Sequence, residues 1–172
     1  STMFLNYIKE FFVKKSLKNN LQQDKSKVFS RDVQTIGLLI DESNFGHSEA
    51  LINELTLHKI APENIKVIAY TGKFKEKETY LRPTFGKKHI NWKGEITEDF
   101  INEFLNKEFD ILLSYYDVEN IFLMLVTSKS KAKFKVGFSA AGQNLNRLMI
   151  HTELANYKLF VSELFRYLKN IK

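Results

Sequence analysis

Four short runs in this chain are rich in apolar residues and of strand length: TIGLLID (35–41), IKVIAYTG (65–72), FDILLSYYD (109–117) and FKVGFSA (134–140), the first of them a continuous apolar run. A strand with one wet face alternates apolar and polar residues, and these do not alternate. Continuous runs of this length mark strands buried on both faces, which belong to parallel sheets covered by helices. The intervening segments supply the helices. Residues 48–60 place Ala50, Leu51, Leu55, Leu57 and Ile60 at helical spacing, with Pro62 after the end. Residues 97–108 open on Thr97, read as an N-cap, with acids in the first turn. Residues 118–129 are a strongly apolar helix, and LNRLMI (145–150), reached through the turn-like AAGQN, is a further strand. From Leu154 to Ile171 an apolar stripe advances by threes and fours, as in a helix docked on a sheet.

Strands and helices alternating at short intervals give an α/β chain. The expected fold is three-layered and Rossmann-like, with a mostly parallel sheet of five to six strands over residues 35–172 and an N-terminal amphipathic helix. That helix, over 3–18, groups Phe4, Ile8, Phe11, Phe12 and Leu17 on one broad face and sets Lys9, Lys14, Lys15 and Lys18 elsewhere. The polar stretch 19–34 reads as a linker, so residues 1–34 form an appendage. Packing on its own domain or across a homodimer is the expected use of the helix; a protein partner or an anionic membrane surface are the other two.

Composition narrows the classes. At 172 residues, 44% hydrophobic and 27% charged, the chain has the profile of one globular domain. It has no cysteine, which removes disulfides, thiolate metal sites and cysteine nucleophiles. No apolar run suits a secretory leader or a membrane span, and Ser1 and Thr2 before Met3 read as a cloning remnant. A cytoplasmic location, at most peripheral to the inner membrane, is expected. The net charge of +6 is uneven: residues 1–35 carry +4 and residues 73–93 carry +5, whereas 36–72 carry −3 and 94–172 balance.

In an open parallel sheet a ligand sits beyond the carboxyl ends of the strands. The polar residues there are Asp41, Glu42, Ser43 and Asn44 after the first strand, Asp117 after the third and Ser139 after the fourth, with Thr71 and Lys73 nearby. If the first and third strands are neighbours, Asp41 and Asp117 end side by side, and two such carboxylates could hold Mg²⁺ for phosphoryl chemistry. Polar residues also end strands merely because strands must leave the core. No cofactor and no metal ligand set is evident: the dinucleotide, Walker and nucleophile-elbow motifs are missing, and His47, His58, His89 and His151 show no i, i+4 pairing.

Residues 73–93 interleave Lys73, Lys75, Lys77, Arg82, Lys87, Lys88 and Lys93 with Phe74, Tyr80, Phe85 and Trp92. Basic side chains among aromatic platforms can grip single-stranded nucleic acid. No nucleic-acid module frames the segment, so the expectation is an excursion anchored by its aromatics with lysines in water. The lysines of KSKAKFK (129–135) lie at the opposite edge of the sheet and suit a helix C-terminus.

SKAKFKVGF (130–138), the LMI at 148–150 and the closing ELFRYLKNI (163–171) carry a resemblance over nearly the whole chain. They resemble a family of small Bacteroidota proteins known as a domain of unknown function, which implies no activity. Residues 109–138 are also similar to the first Rossmann-like half of heptosyltransferase-type glycosyltransferases. The chain has no room for the second half, which binds the sugar nucleotide, so no catalytic residue carries over. The functional expectation is a non-catalytic protein working through protein or membrane-surface contacts. The alternative is a small nucleotide- or phosphate-binding protein or Mg-dependent enzyme using the strand-end acids.

Overall fold

The computed structural model describes residues 2–22, 32–141 and 144–170. Most of the expected linker, at 23–31, and Gly142 and Gln143 of the AAGQN turn lie outside the described residues. The strands are β1 (Ile36–Asp41), β2 (Ile65–Tyr70), β3 (Thr84–Phe85), β4 (Ile111–Tyr115), β5 (Phe134–Phe138) and β6 (Leu148–Ile150). The helices are α1 (Thr2–Gln22), α2 (Ser48–Leu57), α3 (Asp99–Asn106), α4 (Ile121–Lys129) and α5 (Tyr157–Asn170). The sheet order is β3-β2-β1-β4-β5-β6 and every pairing is parallel. That is the Rossmann-like order, with its reversal of winding between β1 and β4.

All six β1 residues and all five β4 residues are buried. Alternate residues feed two cores. Leu38, Ile40, Leu113 and Tyr115 pack with Leu51 and Leu55 of α2 and Phe160, Val161, Leu164 and Leu168 of α5. Leu39, Ile68 and Leu112 pack with Ile101, Phe104 and Leu105 of α3 and Leu123 and Val126 of α4. The sheet is thus the middle of three layers, as its unbroken apolar strands require.

The N-terminal helix joins the second core. Ile8 is 2% exposed, Phe4, Phe11 and Phe12 flank it, and Phe4 stacks on Phe122 at 5.5 Å. Gly94 lies beneath it with φ +72°, and a Cβ there would stand 3.1 Å from the Tyr7 ring. Glycine suits both the left-handed turn and the close approach. Leu17, expected on the same face, has no described side chain. No helix among the described residues is long and apolar enough to cross a membrane.

Polar contacts set register where packing cannot. The Asp110 carboxylate accepts N–H bonds from Gln34 and Thr35, 2.9 and 3.0 Å, while the Asp110 N–H donates to Thr35 Oγ1. Burial would raise this carboxyl, but those amides and the Lys133 ammonium together hold it below the ordinary value. The clamp locks the amino ends of β1 and β4. Within the second core, Thr127 Oγ1 donates to the Leu123 carbonyl and meets the hydroxyls of Ser114 and Tyr116 at 3.0 and 2.9 Å, tying α4 to β4.

Three details differ from the sequence reading, the first being that α1 runs on to Gln22, into the stretch read as linker. Thr97 does not cap α3; Glu98 takes that position, and Thr97 donates its hydroxyl to the His89 carbonyl. The two-residue β3 was not anticipated. Its ladder begins where the Ala69 N–H donates to the Pro83 carbonyl, and Pro83 lacks the N–H that would continue it toward Val67.

Gly37 sits in β1 where a Cβ would lie 2.6 Å from the Phe109 ring. Gly37→Ala should therefore destabilise the protein by about 1–3 kcal/mol through overpacking, read as a lower urea midpoint with an unchanged slope.

Candidate functional site

The β1–β4 neighbourhood that the strand-end reading required is present, so the loops after β1, β4 and β5 form the region to inspect. After β1 the chain turns at once. Asp41, 3% exposed, accepts the Ser43 N–H at 3.0 Å on one carboxylate oxygen and the Asn44 side-chain amide at 2.7 Å on the other. Its backbone carbonyl accepts from Asn44 and Phe45. This is a carboxylate organising its own turn. Ser43 Oγ in turn accepts the Gly72 N–H at 2.7 Å, which joins the loops after β1 and β2.

Phe45 then folds back over the end of β4. It is 4% exposed, with its ring 4.8 Å from Tyr115 and 6.3 Å from Tyr157. Tyr115 donates to the Leu154 carbonyl at 2.6 Å, and burial pushes its hydroxyl far above the usual tyrosine range, with Asp117 adding to the effect. An aromatic plug therefore covers β4's carboxyl end on the α2/α5 side of the sheet.

Asp41 and Asp117 act on different tyrosines. Leu39 faces the α3/α4 core and Ile40 the α2/α5 core, so alternation turns Asp41 toward α3 and α4. Its charge helps raise the Tyr70 hydroxyl, behind the larger effect of burial and against a lowering by Asn120. Asp117 adds to the raising of the Tyr115 hydroxyl, behind the larger effect of burial. Among the described residues, no group of three His, Cys, Asp or Glu is placed to hold a metal ion.

The other expected residues serve separate contacts. Glu42 pairs with Arg82 at 3.1 Å, and Arg82, its side chain 10% exposed, also pairs with Glu49 of α2. Ser139 bonds His151 Nδ1 at 3.0 Å across the ends of β5 and β6. The sequence reading overlooked Phe45, although one aromatic residue in the polar loop ESNFGHS was the available signal. It also overlooked Tyr70, whose buried hydroxyl lies beside Asn120 without closing a hydrogen bond of good geometry; only the strand order brings those two together.

The basic segment is internally bound. Phe74 stacks on Tyr80 at 5.2 Å and meets His89 edge-on at 4.6 Å. Lys88 pairs with Glu76 and lies over Phe74, Lys75 pairs with Glu78 at 3.4 Å, and Lys87 lies over Phe122. Lys73 and Lys77 are exposed. His89 is buried, and its Nδ1 accepts the Gly86 N–H at 2.9 Å. Burial lowers its pKa, opposed by the Glu98 carboxylate.

A match to a family model decides the relationship: it spans residues 9–171. The chain belongs to the Family of unknown function (DUF6913). Comparison with curated proteins and with solved structures finds no match. The family description supplies no activity, so the chemistry of the region rests on the geometry above.

Two measurements test these assignments. Asp41→Ala should cost about 1–3 kcal/mol by orphaning two donors; stability at or above wild type would instead mark an acid kept at the fold's expense. For His89, a folded pKa below the unfolded value of 6.5 means the unfolded chain binds the proton more readily. Stability should be full above that pH and fall as the pH drops below it. The urea midpoint should fall more between about pH 7.5 and pH 5.5 in wild type than in His89→Gln, the unperturbed pKa lying between them.

Proposed function

We propose that this protein is a non-catalytic Rossmann-like module that works through surface contacts. The observation that carries this reading is the occupied carboxyl end of the sheet: Phe45 packs on Tyr115 and Tyr157, and Asp41 gives both oxygens to its own turn. Sites that bind dinucleotides at this position use glycines so that backbone can approach a pyrophosphate. Here the equivalent loop, ESNFGHS, carries a single glycine, Gly46, after Asn44 and Phe45. The candidate contact surfaces are the sheet edges and α1, which displays Met3, Leu5 and Tyr7 at 64%, 45% and 40% exposure. A protein partner, a second copy or an anionic membrane surface suits such exposed apolar side chains. Within this proposal the protein is cytoplasmic, at most peripheral to the inner membrane.

The second reading, a nucleotide- or phosphate-binding protein or Mg-dependent enzyme, draws support from the unpartnered Tyr70 hydroxyl near Asp41 and Asn120. The Bacteroidota attribution and the heptosyltransferase likeness of 109–138 stand with it as proposals, and neither adds a reacting group.

A thermal-shift screen separates the two. With nucleotides, sugar nucleotides and Mg²⁺ each at high concentration, the melting temperature should stay unchanged. A ligand at 100 times its Kd would add about 2.7 kcal/mol, a visible upward shift, and such a shift would sink the non-catalytic reading.

A further inference from the structure

The two edges of the sheet are protected unequally. At the β3 edge, Pro83 interrupts the ladder and Arg82 sits in ion pairs with Glu42 and Glu49, devices that discourage strand addition. Within β6 itself, Leu148–Ile150, there is no proline and no charged residue. The Ile150 carbonyl accepts the Ser139 N–H at 3.0 Å, so Ile150 turns its backbone to β5. By alternation the N–H and C=O of Met149 face outward. Apolar side chains are open around this edge, with Met149 45% exposed, Leu159 48% and Tyr167 40%, and Arg147 and His151 flank the strand.

Beside the edge runs a groove between β6 and α5. Its α5 wall is Leu159, Glu163, Arg166, Tyr167 and Asn170, positions that recur every three or four residues and so form one stripe of the helix. The stripe is separate from the buried one at Phe160, Val161, Leu164 and Leu168. Its charged groups are one carboxylate and one guanidinium, which pair at 2.6 Å within the helix. On a chain of net charge +6, this helix stripe brings one charge of each sign, and a twofold axis makes that pair complementary to itself.

We propose that this face is a homodimer interface, in which β6 pairs antiparallel with the β6 of a second copy across a twofold axis at Met149. The two Met149 residues exchange both backbone hydrogen bonds, as directly opposed residues of a hydrogen-bonded antiparallel pair do. The sheet becomes continuous through the two subunits. The same axis sets α5 antiparallel to the partner's α5 on one side of that sheet, so that each Glu163 meets the partner's Arg166 between flanking Leu159 and Tyr167 side chains. Three residues of edge strand supply two hydrogen bonds, and the helix stripe supplies the apolar area. The inference names the partner left open by the interaction reading and rests on that reading.

Light scattering coupled to size exclusion tests it on the full chain, whose monomer is 20.1 kDa. Wild type should elute with twice that mass. Leu159→Glu should shift it to monomer. Glu163→Arg and Arg166→Glu should each weaken dimerisation roughly tenfold, because symmetry doubles the pair worth up to about 1 kcal/mol and replaces it with repulsion. The double exchange should recover the affinity to within a few-fold. All three positions are exposed or half-buried, and circular dichroism confirms that each variant is folded. A wild type that stays monomeric at its highest workable concentration overturns the proposal, as does a dimer indifferent to all of these changes. Monomer with a flat ligand screen sinks the dimer alone; a dimer whose melting temperature rises with a nucleotide sinks the non-catalytic reading alone.

Discussion

The burial of β1 and β4 on both faces is the condition on which the other parts of this structure depend. A strand with no wet face needs helices on each side, and α2 with α5, and α1 with α3 and α4, fill those two roles. Parallel pairing follows, because a neighbouring strand reached through a helix re-enters the sheet in the same direction. The close approach at Gly37, where the Phe109 ring occupies the space of a side chain, shows how tightly the middle layer is held. Apolar burial of this kind is worth roughly 25 cal/mol per Å², so the interior of the sheet holds the largest share of the favourable energy.

Polar groups supply what burial cannot, namely register and direction. The Asp110 clamp fixes the amino ends of β1 and β4, and the hydroxyl cluster of Ser114, Tyr116 and Thr127 orients α4. At the carboxyl ends, the same economy of local satisfaction closes the region where related architectures keep a crevice. Asp41, Ser43, Glu42 and Arg82 each answer a neighbouring donor or charge, and Phe45 covers what is left. Such an end is held by contacts within the chain.

Much of the fold was legible in the residues. Four largely apolar runs and LNRLMI marked five of the six strands, and the spacing of 48–60, 97–108, 118–129 and the stripe from Leu154 onward marked the helices after β1. β3 was not legible, because two residues after a proline carry no periodicity. Thr97 read as a cap on local preference, and the His89 carbonyl claimed its hydroxyl instead. The candidate site was legible as a place and not as a constellation. Asp41, Asp117 and Ser139 do lie at or just past strand ends; Asp41 bonds within its own turn and Ser139 pairs with His151, contacts that no local pattern announces.

The sequence by itself determined the fold class, since burial on two faces is written in composition and period within each segment. It also determined where charge and aromatic side chains concentrate. Tertiary structure alone decided which loops became neighbours, which side of the sheet each strand-end residue faced, and which edge was left open. Those outcomes depend on strand order and on the parity of each strand's last residue, quantities that link segments far apart in the chain. A local pattern cannot encode them, because a shift of one residue moves a side chain to the other core without altering the pattern.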